Sequence, residues 1–289
     1  MYFALPNFFE NFYLNNFFYN LSVSSPQYFR QPVTFSEMTG AFPYCSWGGH
    51  INNNQGNGAY HIDFVRCGEC TDLALRFDFA NLMLEETDFY DAMSNSIIDA
   101  NIGRGYSIEI SNLNLLAHLM EKYPKFDFQF VYSSLSDHTT PFCLKDINAL
   151  GDNPMCSLVG LPTRLNRDFS FLDGINNKGK MEITVNPMCP SACLKHKECL
   201  MKEQYLHINY YRESVFDTCP KVQAYDLCSC ELLTLDKLIP YVDKGITHFT
   251  FSPFVNSIPL ELRLDFYIYY FIKDEFHHLT RKLWYQKEK

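Results

Sequence analysis

Six cysteines in the C-terminal third are the residues whose type and spacing best suit a chemical role, namely metal binding. The first four follow the pattern C-x3-C-x5-C-x19-C and the last two form C-x-C: Cys189, Cys193, Cys199, Cys219, Cys228 and Cys230. Thiolates grouped in this way are ligands for iron–sulfur clusters and for structural zinc. The first four are therefore predicted to be metal ligands, with Cys228, Cys230 and His196 as possible substitutes.

The spacing favours an iron–sulfur cluster over the other thiolate centres. Zinc modules usually contain C-x2-C pairs, which this segment lacks. A radical S-adenosylmethionine motif would need a third cysteine at the position of His196. Lys195, Lys197 and Lys202 would favour the thiolate form of nearby cysteines. The prediction is a [4Fe–4S] cluster, with zinc as the alternative and buried thiols without metal as the plainer interpretation.

Several polar residues near strand ends are candidates for binding a substrate. Arg76 and Asp78 have the same parity in the strand Leu73–Phe79, so they point to one side of it. If that side is the barrel interior, they suit a buried ion pair or a substrate clamp. The alternative is that they are simply polar residues near the strand ends. Asn81 and Asn186 follow or end predicted strands, where they would contact a ligand or cap the next helix. No residue is assigned a catalytic role.

The elements that must position these residues alternate between short strands and amphipathic helices. The predicted strands are Tyr2–Leu5, Leu73–Phe79, Tyr106–Ile110, Phe126–Tyr132, Met155–Leu161, Met181–Asn186 and Thr247–Ser252. This βα alternation predicts a single-domain (β/α)8 TIM-like barrel over residues 1–289, with a doubly wound open α/β sheet as the alternative. The cysteine-rich segment 186–230 would lie near the carboxyl ends of the strands. A last helix is predicted over about Leu260–Tyr285.

Composition and charge narrow the classes of function. The chain has 289 residues and a formal net charge of −9, which argues against broad nucleic-acid binding but leaves room for a local RNA-binding patch. No stretch reaches the roughly 18 apolar residues of a membrane span. Eleven cysteines without a secretory leader indicate reduced thiols and a cytoplasmic protein. The substrate, a small molecule or an RNA, is left unspecified.

Five segments together resemble a known family. They are Phe42–Gly49, Leu73–Asn81, Glu121–Pro124, Val185–Cys193 and Tyr241–Phe249. In this order they resemble the collagenase-like peptidase superfamily of barrel proteins, in a poorly characterised branch from bacteria and their phages. The similarity runs from about residue 30 to about residue 285.

The resemblance implies a (β/α)8-like barrel and, from the better-known members, a four-cysteine [4Fe–4S] cluster. In those members the cluster is used in oxygen-independent hydroxylation of tRNA or quinone precursors, so the resemblance implies a reaction of this kind. The chain departs from the branch at three places, where Cys199 replaces a histidine, His50 replaces a basic residue, and Phe249–Phe254 lacks the basic groups of the last strand. The predicted function is a redox or hydroxylation-type enzyme, or an accessory to one. The alternatives are a non-catalytic binding module and, more weakly, a peptidase.

Overall fold

The backbone forms a closed barrel of eight parallel strands, each paired with its neighbour in chain order. A computed structural model describes residues 1–8, 10–42, 45–49, 71–124, 129–138, 141–187, 195–208, 232–253 and 258–287. The strands are β1 (Tyr2–Leu5), β2 (Thr34–Gly40), β3 (Ala74–Phe79), β4 (Ser107–Ile110), β5 (Phe130–Tyr132), β6 (Cys156–Leu161), β7 (Met181–Thr184) and β8 (His248–Thr250). The barrel closes where β8 pairs with β1, with Tyr2 opposite His248. The predicted (β/α)8 barrel is confirmed. The alternative of an open sheet is wrong, because an open sheet has two edge strands with a single neighbour each, whereas every strand of the closed barrel pairs on both sides.

The described α-helices lie in the connections between strands and after β8. They are α1 (Phe12–Ser24), α2 (Ala92–Asn101), α3 (Leu113–Lys122), α4 (Leu144–Asp152), α5 (Phe169–Asp173), α6 (His196–Ile208), α7 (Leu235–Asp243), α8 (Leu260–Phe271) and α9 (His277–Lys287). Capping by short polar residues fixes where several of them begin: Asn112 Oδ1 accepts the backbone N–H groups of Asn114 and Leu115 at the start of α3. None of the described helices is both long enough and apolar enough to cross a lipid bilayer.

Strand β2 was not predicted from the sequence, because a bulge interrupts its alternation. Phe3 pairs with Phe35, but the next residue of β1, Ala4, pairs with Glu37. Ser36 is therefore an extra residue in β2, and the period of two breaks at it. As a result, Phe35 and Met38 are both buried although they are three positions apart.

The predicted C-terminal helix is in fact two helices. Ile272 has an extended backbone between α8 and α9, and it forms an isolated antiparallel bridge with Phe29. The Arg30 side chain donates to the Ile272 carbonyl through Nε at 2.8 Å. This contact with a segment more than 240 residues earlier in the chain ends the helix, and neighbouring sequence alone gives no sign of it.

The barrel separates an apolar outer layer from a polar interior. Between β1, β8 and the helices, aromatic rings pack edge to face or stacked, with Phe3 in contact with Phe249, Phe251 and Phe271. Within β3, side chains alternate between these two surroundings. The interior positions of β3, Arg76 and Asp78, are the ones that the sequence singled out for chemistry.

Candidate functional site

A buried ion cluster crosses the interior of the barrel. Arg76 of β3 donates to both carboxylate oxygens of Glu182 on β7, at 2.8 and 2.9 Å. It also pairs with Glu37 of β2, and its Nη1 lies 3.9 Å from a carboxylate oxygen of Glu109 on β4. Because β3 and β7 lie on opposite sides of the closed ring, the Arg76–Glu182 contact spans the lumen. Arg76 thus takes part in a buried ion network with glutamates of β2, β4 and β7.

Arg76 is a fixed cation with three carboxylates around it. Burial on its own lowers the pKa of Arg76, but the attraction of the glutamates, led by Glu182, outweighs it and holds this pKa above its ordinary value. Glu109 gains a further hydrogen bond from Ser133 Oγ at 2.6 Å. Only 1% of Arg76 is exposed, so a ligand approaching from solvent does not reach it in this arrangement.

His248 of β8 lies beside the ion cluster. In the strand register it stands opposite Glu182 on one side and Tyr2 on the other, and its ring stacks on the Tyr2 ring with the centroids 5.2 Å apart. Burial lowers the pKa of His248 from its ordinary 6.5, and the charges of Arg76 and the chain N-terminus act in the same direction. Glu182 and Glu37 oppose this shift but do not reverse it. The folded protein therefore binds a proton at His248 less readily than the unfolded chain does.

This difference predicts an acid-dependent loss of stability that His248→Gln removes. Below about pH 6.5 the unfolded chain takes up a proton at His248 before the folded protein does, so the free energy of unfolding falls as the pH falls. We expect chemical unfolding, followed by circular dichroism from about pH 7 to about pH 5, to show a weaker pH dependence in the variant than in the parent. His278→Gln, at an exposed position, is the control and should leave the curve unchanged. Identical curves for the parent and His248→Gln would contradict the prediction.

The second polar arrangement lies at the carboxyl end of β3, and we call it the β3-end junction. It comprises residues 46–49, which follow β2, residues 78–83, and Gln204 of α6. The Gly49 N–H donates to the two carboxylate oxygens of Asp78 at 3.1 and 3.2 Å, and the Ala80 N–H donates to the same carboxylate at 3.0 Å. A Cβ on Gly49 would lie 2.4 Å from the carbonyl carbon of Ala80, so only glycine allows the two loops to approach this closely.

Asn81 connects all three parts of the β3-end junction. Its Nδ2 donates to the carbonyl oxygens of Ser46 at 2.8 Å and Gln204 at 3.2 Å. Its Oδ1 accepts the Met83 N–H at 2.8 Å, and its own backbone N–H donates to the Trp47 carbonyl at 3.0 Å. The Asn81 side chain is fully buried. Its amide therefore ties loops to a helix at the end of the barrel where barrel proteins place their sites.

Gln204 is a residue of this region that the sequence analysis missed. Its Nε2 donates to the Gly49 carbonyl at 2.9 Å, and its Oε1 accepts the Leu82 N–H at 2.9 Å. A buried amide was not expected on α6, whose sequence looks largely solvated. The available signal was that α6 carries no continuous apolar stripe, and such a helix needs polar contacts to hold it against a barrel.

Asn186 acts at a different part of the same face. Its Oδ1 accepts the Ser252 N–H at 2.7 Å, and the neighbouring Val185 N–H donates to the Thr250 carbonyl at 2.9 Å. It therefore joins the chain after β7 to the chain after β8. Of the four residues predicted to bind substrate, the structure brings Asp78 and Asn81 together. Arg76 and Asn186 lie in separate networks, and all four are buried.

The described part of the chain contains one of the four predicted metal ligands, Cys199, which lies partly exposed on α6. The other predicted ligands and two of the substitutes lie outside the described residues: Cys189, Cys193, Cys219, Cys228 and Cys230. The third substitute, His196, is the first residue of α6. Within the described ranges, no group of three or more His, Cys, Asp or Glu side chains is arranged to hold a metal ion. The iron–sulfur and zinc assignments therefore stay predictions.

Two other described cysteines do not suit metal binding. Burial raises the pKa of Cys45 to about 12 and that of Cys156 to about 11, so both are neutral thiols at physiological pH. Cys45 also lies 3.0 Å from Ser94 Oγ, within a buried contact. A cysteine must lose its thiol proton to bind a metal ion, and these two do not lose it readily. Both cysteines therefore behave as small apolar core residues.

Brief treatment of the native chain with iodoacetamide at about pH 8 should modify Cys143 and leave Cys45 and Cys156 unmodified. Cys143 is exposed, whereas the other two are buried and carry raised pKa values. Peptide mass spectrometry measures each site separately. Repeating the treatment in urea, where all three thiols should react, provides the control. Rapid modification of Cys45 in the native chain would contradict the assignment of this thiol to the core.

Two of the five segments that carry the family resemblance contribute residues to the β3-end junction. Residues 46–49 of the first segment and residues 78–81 of the second, Leu73–Asn81, belong to it. No family model, curated protein or solved structure matches the chain. The family resemblance therefore stays a prediction, and the contacts described above are what support the proposals below.

Proposed function

We propose that the chain is an iron–sulfur barrel protein that carries out a redox or oxygen-independent hydroxylation-type reaction, or assists an enzyme that does. Cys189, Cys193, Cys199 and Cys219 are the proposed ligands of a [4Fe–4S] cluster. A cluster of this kind supplies one-electron transfer when bound. The substrate is proposed to be a small molecule or an RNA segment that enters at the carboxyl ends of the strands.

The observation that supports this proposal most strongly is the attachment of α6 to the end of β3. Cys199 lies on this helix, and Gln204 of the same helix bonds to Gly49 and Leu82 at the carboxyl end of the strand. The chain also enters the cysteine-rich segment from the carboxyl end of β7. The start of the segment and the described helix within it thus both belong to the end of the barrel where this fold carries out chemistry.

The donor chemistry of the described residues is compatible with the proposal. Cys199 is partly exposed on a helix, whereas Cys45 and Cys156 are neutral buried thiols that would not compete for iron. Iron–sulfur clusters require thiolates, which form more readily where the sulfur is accessible and lysines lie nearby. Lys195 and Lys197 flank the start of α6 and are exposed.

Anaerobic purification tests the proposal directly. We expect broad visible absorption from the purified chain, with iron and acid-labile sulfide in similar amounts. Cys199→Ser should lose most of this absorption and iron, whereas Cys143→Ser, at an exposed position outside the proposed ligand set, should retain both. Absence of iron from the anaerobic protein, or an unchanged spectrum in Cys199→Ser, would overturn the cluster assignment.

A second function, a non-catalytic barrel that binds a partner, is favoured by a separate observation. Arg76, Asp78, Asn81 and Asn186 are all buried, and each bonds to other parts of the protein. Polar residues engaged in this way stabilise the end of a barrel without contacting a substrate. Stoichiometric zinc in place of iron, or free thiols without metal, would favour this second function.

A further inference from the structure

We infer that Gln204 and Asn81 are positioning residues that fix the cysteine-bearing helix α6 against the β3-end junction and so set the position of Cys199. This inference rests on the proposed function, in which Cys199 is a ligand of the cluster. The contacts themselves do not depend on any metal. Gln204 joins α6 to two different loops: its Nε2 donates to the Gly49 carbonyl and its Oε1 accepts the Leu82 N–H, both at 2.9 Å. Asn81 adds a third bond to α6 through the Gln204 carbonyl at 3.2 Å.

The two bonds made by the Gln204 side chain supply partners to backbone groups of loops, which have none from strand pairing. Gly49 and Leu82 belong to the loops that follow β2 and β3, where strand pairing has ended. Buried backbone groups without partners are costly, so each loop needs an acceptor or donor from elsewhere in the protein. A primary amide offers one of each from a single side chain, which suits glutamine at this position.

Polar contacts supply a large part of the anchorage of α6, beside the apolar packing of Leu200 and Ile208. In the described part of the helix the buried side chains are Leu200, Glu203 and Gln204. Two of these three are polar, while Tyr205 next to them is 53% exposed. A helix held this way should separate from the barrel readily once its amide contacts are removed.

Because Gln204 and Cys199 lie on the same helix, contacts that hold Gln204 in place also constrain the position of Cys199. The two residues are five positions apart, which corresponds to about 7.5 Å along the helix axis. Cys199 lies one turn before the buried Glu203, so these two side chains occupy the same face of α6. Since an α-helix moves as a rigid unit over this length, fixing Gln204 at the junction also fixes the position and direction of the Cα–Cβ bond of Cys199.

The test measures the reactivity of Cys199 in the full chain after a chelator has removed any bound metal. Gln204→Leu leaves the Gly49 carbonyl and the Leu82 N–H without partners, and we expect the rate of iodoacetamide labelling at Cys199 to rise about tenfold or more. Asn95→Leu is the matched control. Asn95 is another buried amide, with hydrogen bonds to Phe89, Asp91 and Tyr123. Its loss should lower stability and leave the labelling of Cys199 within about twofold of the parent.

Gln204→Glu distinguishes positioning from general loss of stability. The introduced carboxyl has the shape of the amide, but in its ionised form it does not donate to the Gly49 carbonyl, and the Asp78 carboxylate bonds to the N–H of the same glycine. In its protonated form it donates and accepts as the amide does. Burial at this position and the nearby Asp78 carboxylate raise the pKa of the introduced carboxyl. The ratio of Cys199 labelling in this variant to that in the parent should therefore be high at about pH 8 and fall toward one at about pH 5. A ratio that does not change with pH would overturn the positioning role.

The outcomes separate this inference from the proposed function. Equal Cys199 labelling in the parent and Gln204→Leu would overturn the inference, whatever metal the protein holds. An anaerobic parent without iron, combined with increased labelling in Gln204→Leu, would support the positioning contacts and overturn only the iron–sulfur function. Where iron is present, we expect the anaerobic Gln204→Leu protein to retain less than half of the parent's iron per chain, with Asn95→Leu close to the parent.

Discussion

Replacement of Arg76 by methionine should lower the free energy of unfolding by about 3–5 kcal/mol, the usual result of removing one partner from a buried ion cluster. Methionine fills a similar volume but leaves Glu37, Glu109 and Glu182 inside the barrel without their shared cation. The bidentate contact with Glu182 connects opposite sides of the ring, so its loss weakens closure of the barrel as well as the charge balance. Urea unfolding followed by circular dichroism measures the change.

Arg164→Met is the matched control for this variant. Arg164 also contacts a carboxylate through two nitrogens, and it bonds to Asp137 in the loop after β5. Its side chain is 45% exposed, whereas that of Arg76 is 1% exposed. Solvent screens the exposed pair, so Arg164→Met should cost about 0–1 kcal/mol. A cost for Arg76→Met no larger than that of the control would show that the cluster does not stabilise the barrel.

A second substitution tests whether unpaired charge causes the loss. Glu182→Gln in the Arg76→Met background removes one of the three carboxylates left without the cation, so it should restore part of the lost stability. In the parent background the same change removes the strongest partner of Arg76 and should be destabilising. The two effects of Glu182→Gln should therefore differ in sign, and this non-additivity is typical of residues in direct contact.

The sequence predicted that Arg76 and Asp78 share one side of their strand but not the partners that Arg76 meets there. Two residues of equal parity in β3 must share a face, because side chains alternate along any strand. Glu182 lies across the barrel, however, and its contact with Arg76 depends on closure and register, which strand patterns do not encode. Glu37 could not be predicted as a partner of Arg76 for a further reason. The bulge at Ser36 disrupts the alternation by which β2 would have been recognised as a strand.

The candidate site shows the same division between local and distant information. Asp78 and Asn81 were singled out because they end or follow a strand, and both lie in the β3-end junction. Gln204 reaches the same junction from a helix more than 120 residues later in the chain. Its role depends on the placement of α6 against loops, and no period or motif in the sequence marks that placement. Residues brought together by loop contacts thus lie beyond what strand and helix patterns predict.

Replacement of Gly49 by alanine should destabilise the protein by about 3 kcal/mol, near the upper end of the cost of overpacking. The added methyl group would lie 2.4 Å from the carbonyl carbon of Ala80 and 2.5 Å from its oxygen. These are backbone atoms at the end of β3, and they have less freedom to move than the tip of a side chain. Relief of the clash would separate the two loops and lengthen the hydrogen bonds that Gly49 makes with Asp78 and Gln204.

Gly179→Ala is the control, because its new Cβ would meet only Asn177 Oδ1, at 3.9 Å. This change should alter stability by no more than about 0.5 kcal/mol. Gly49→Ala should in addition raise the labelling of Cys199, since the loop that it displaces supplies the carbonyl that anchors Gln204. Loss of stability without a change at Cys199 would mean that α6 stays in place when the loop moves. The helix would then be held by contacts other than Gln204, and the β3-end junction would be a structural joint separate from the cysteines.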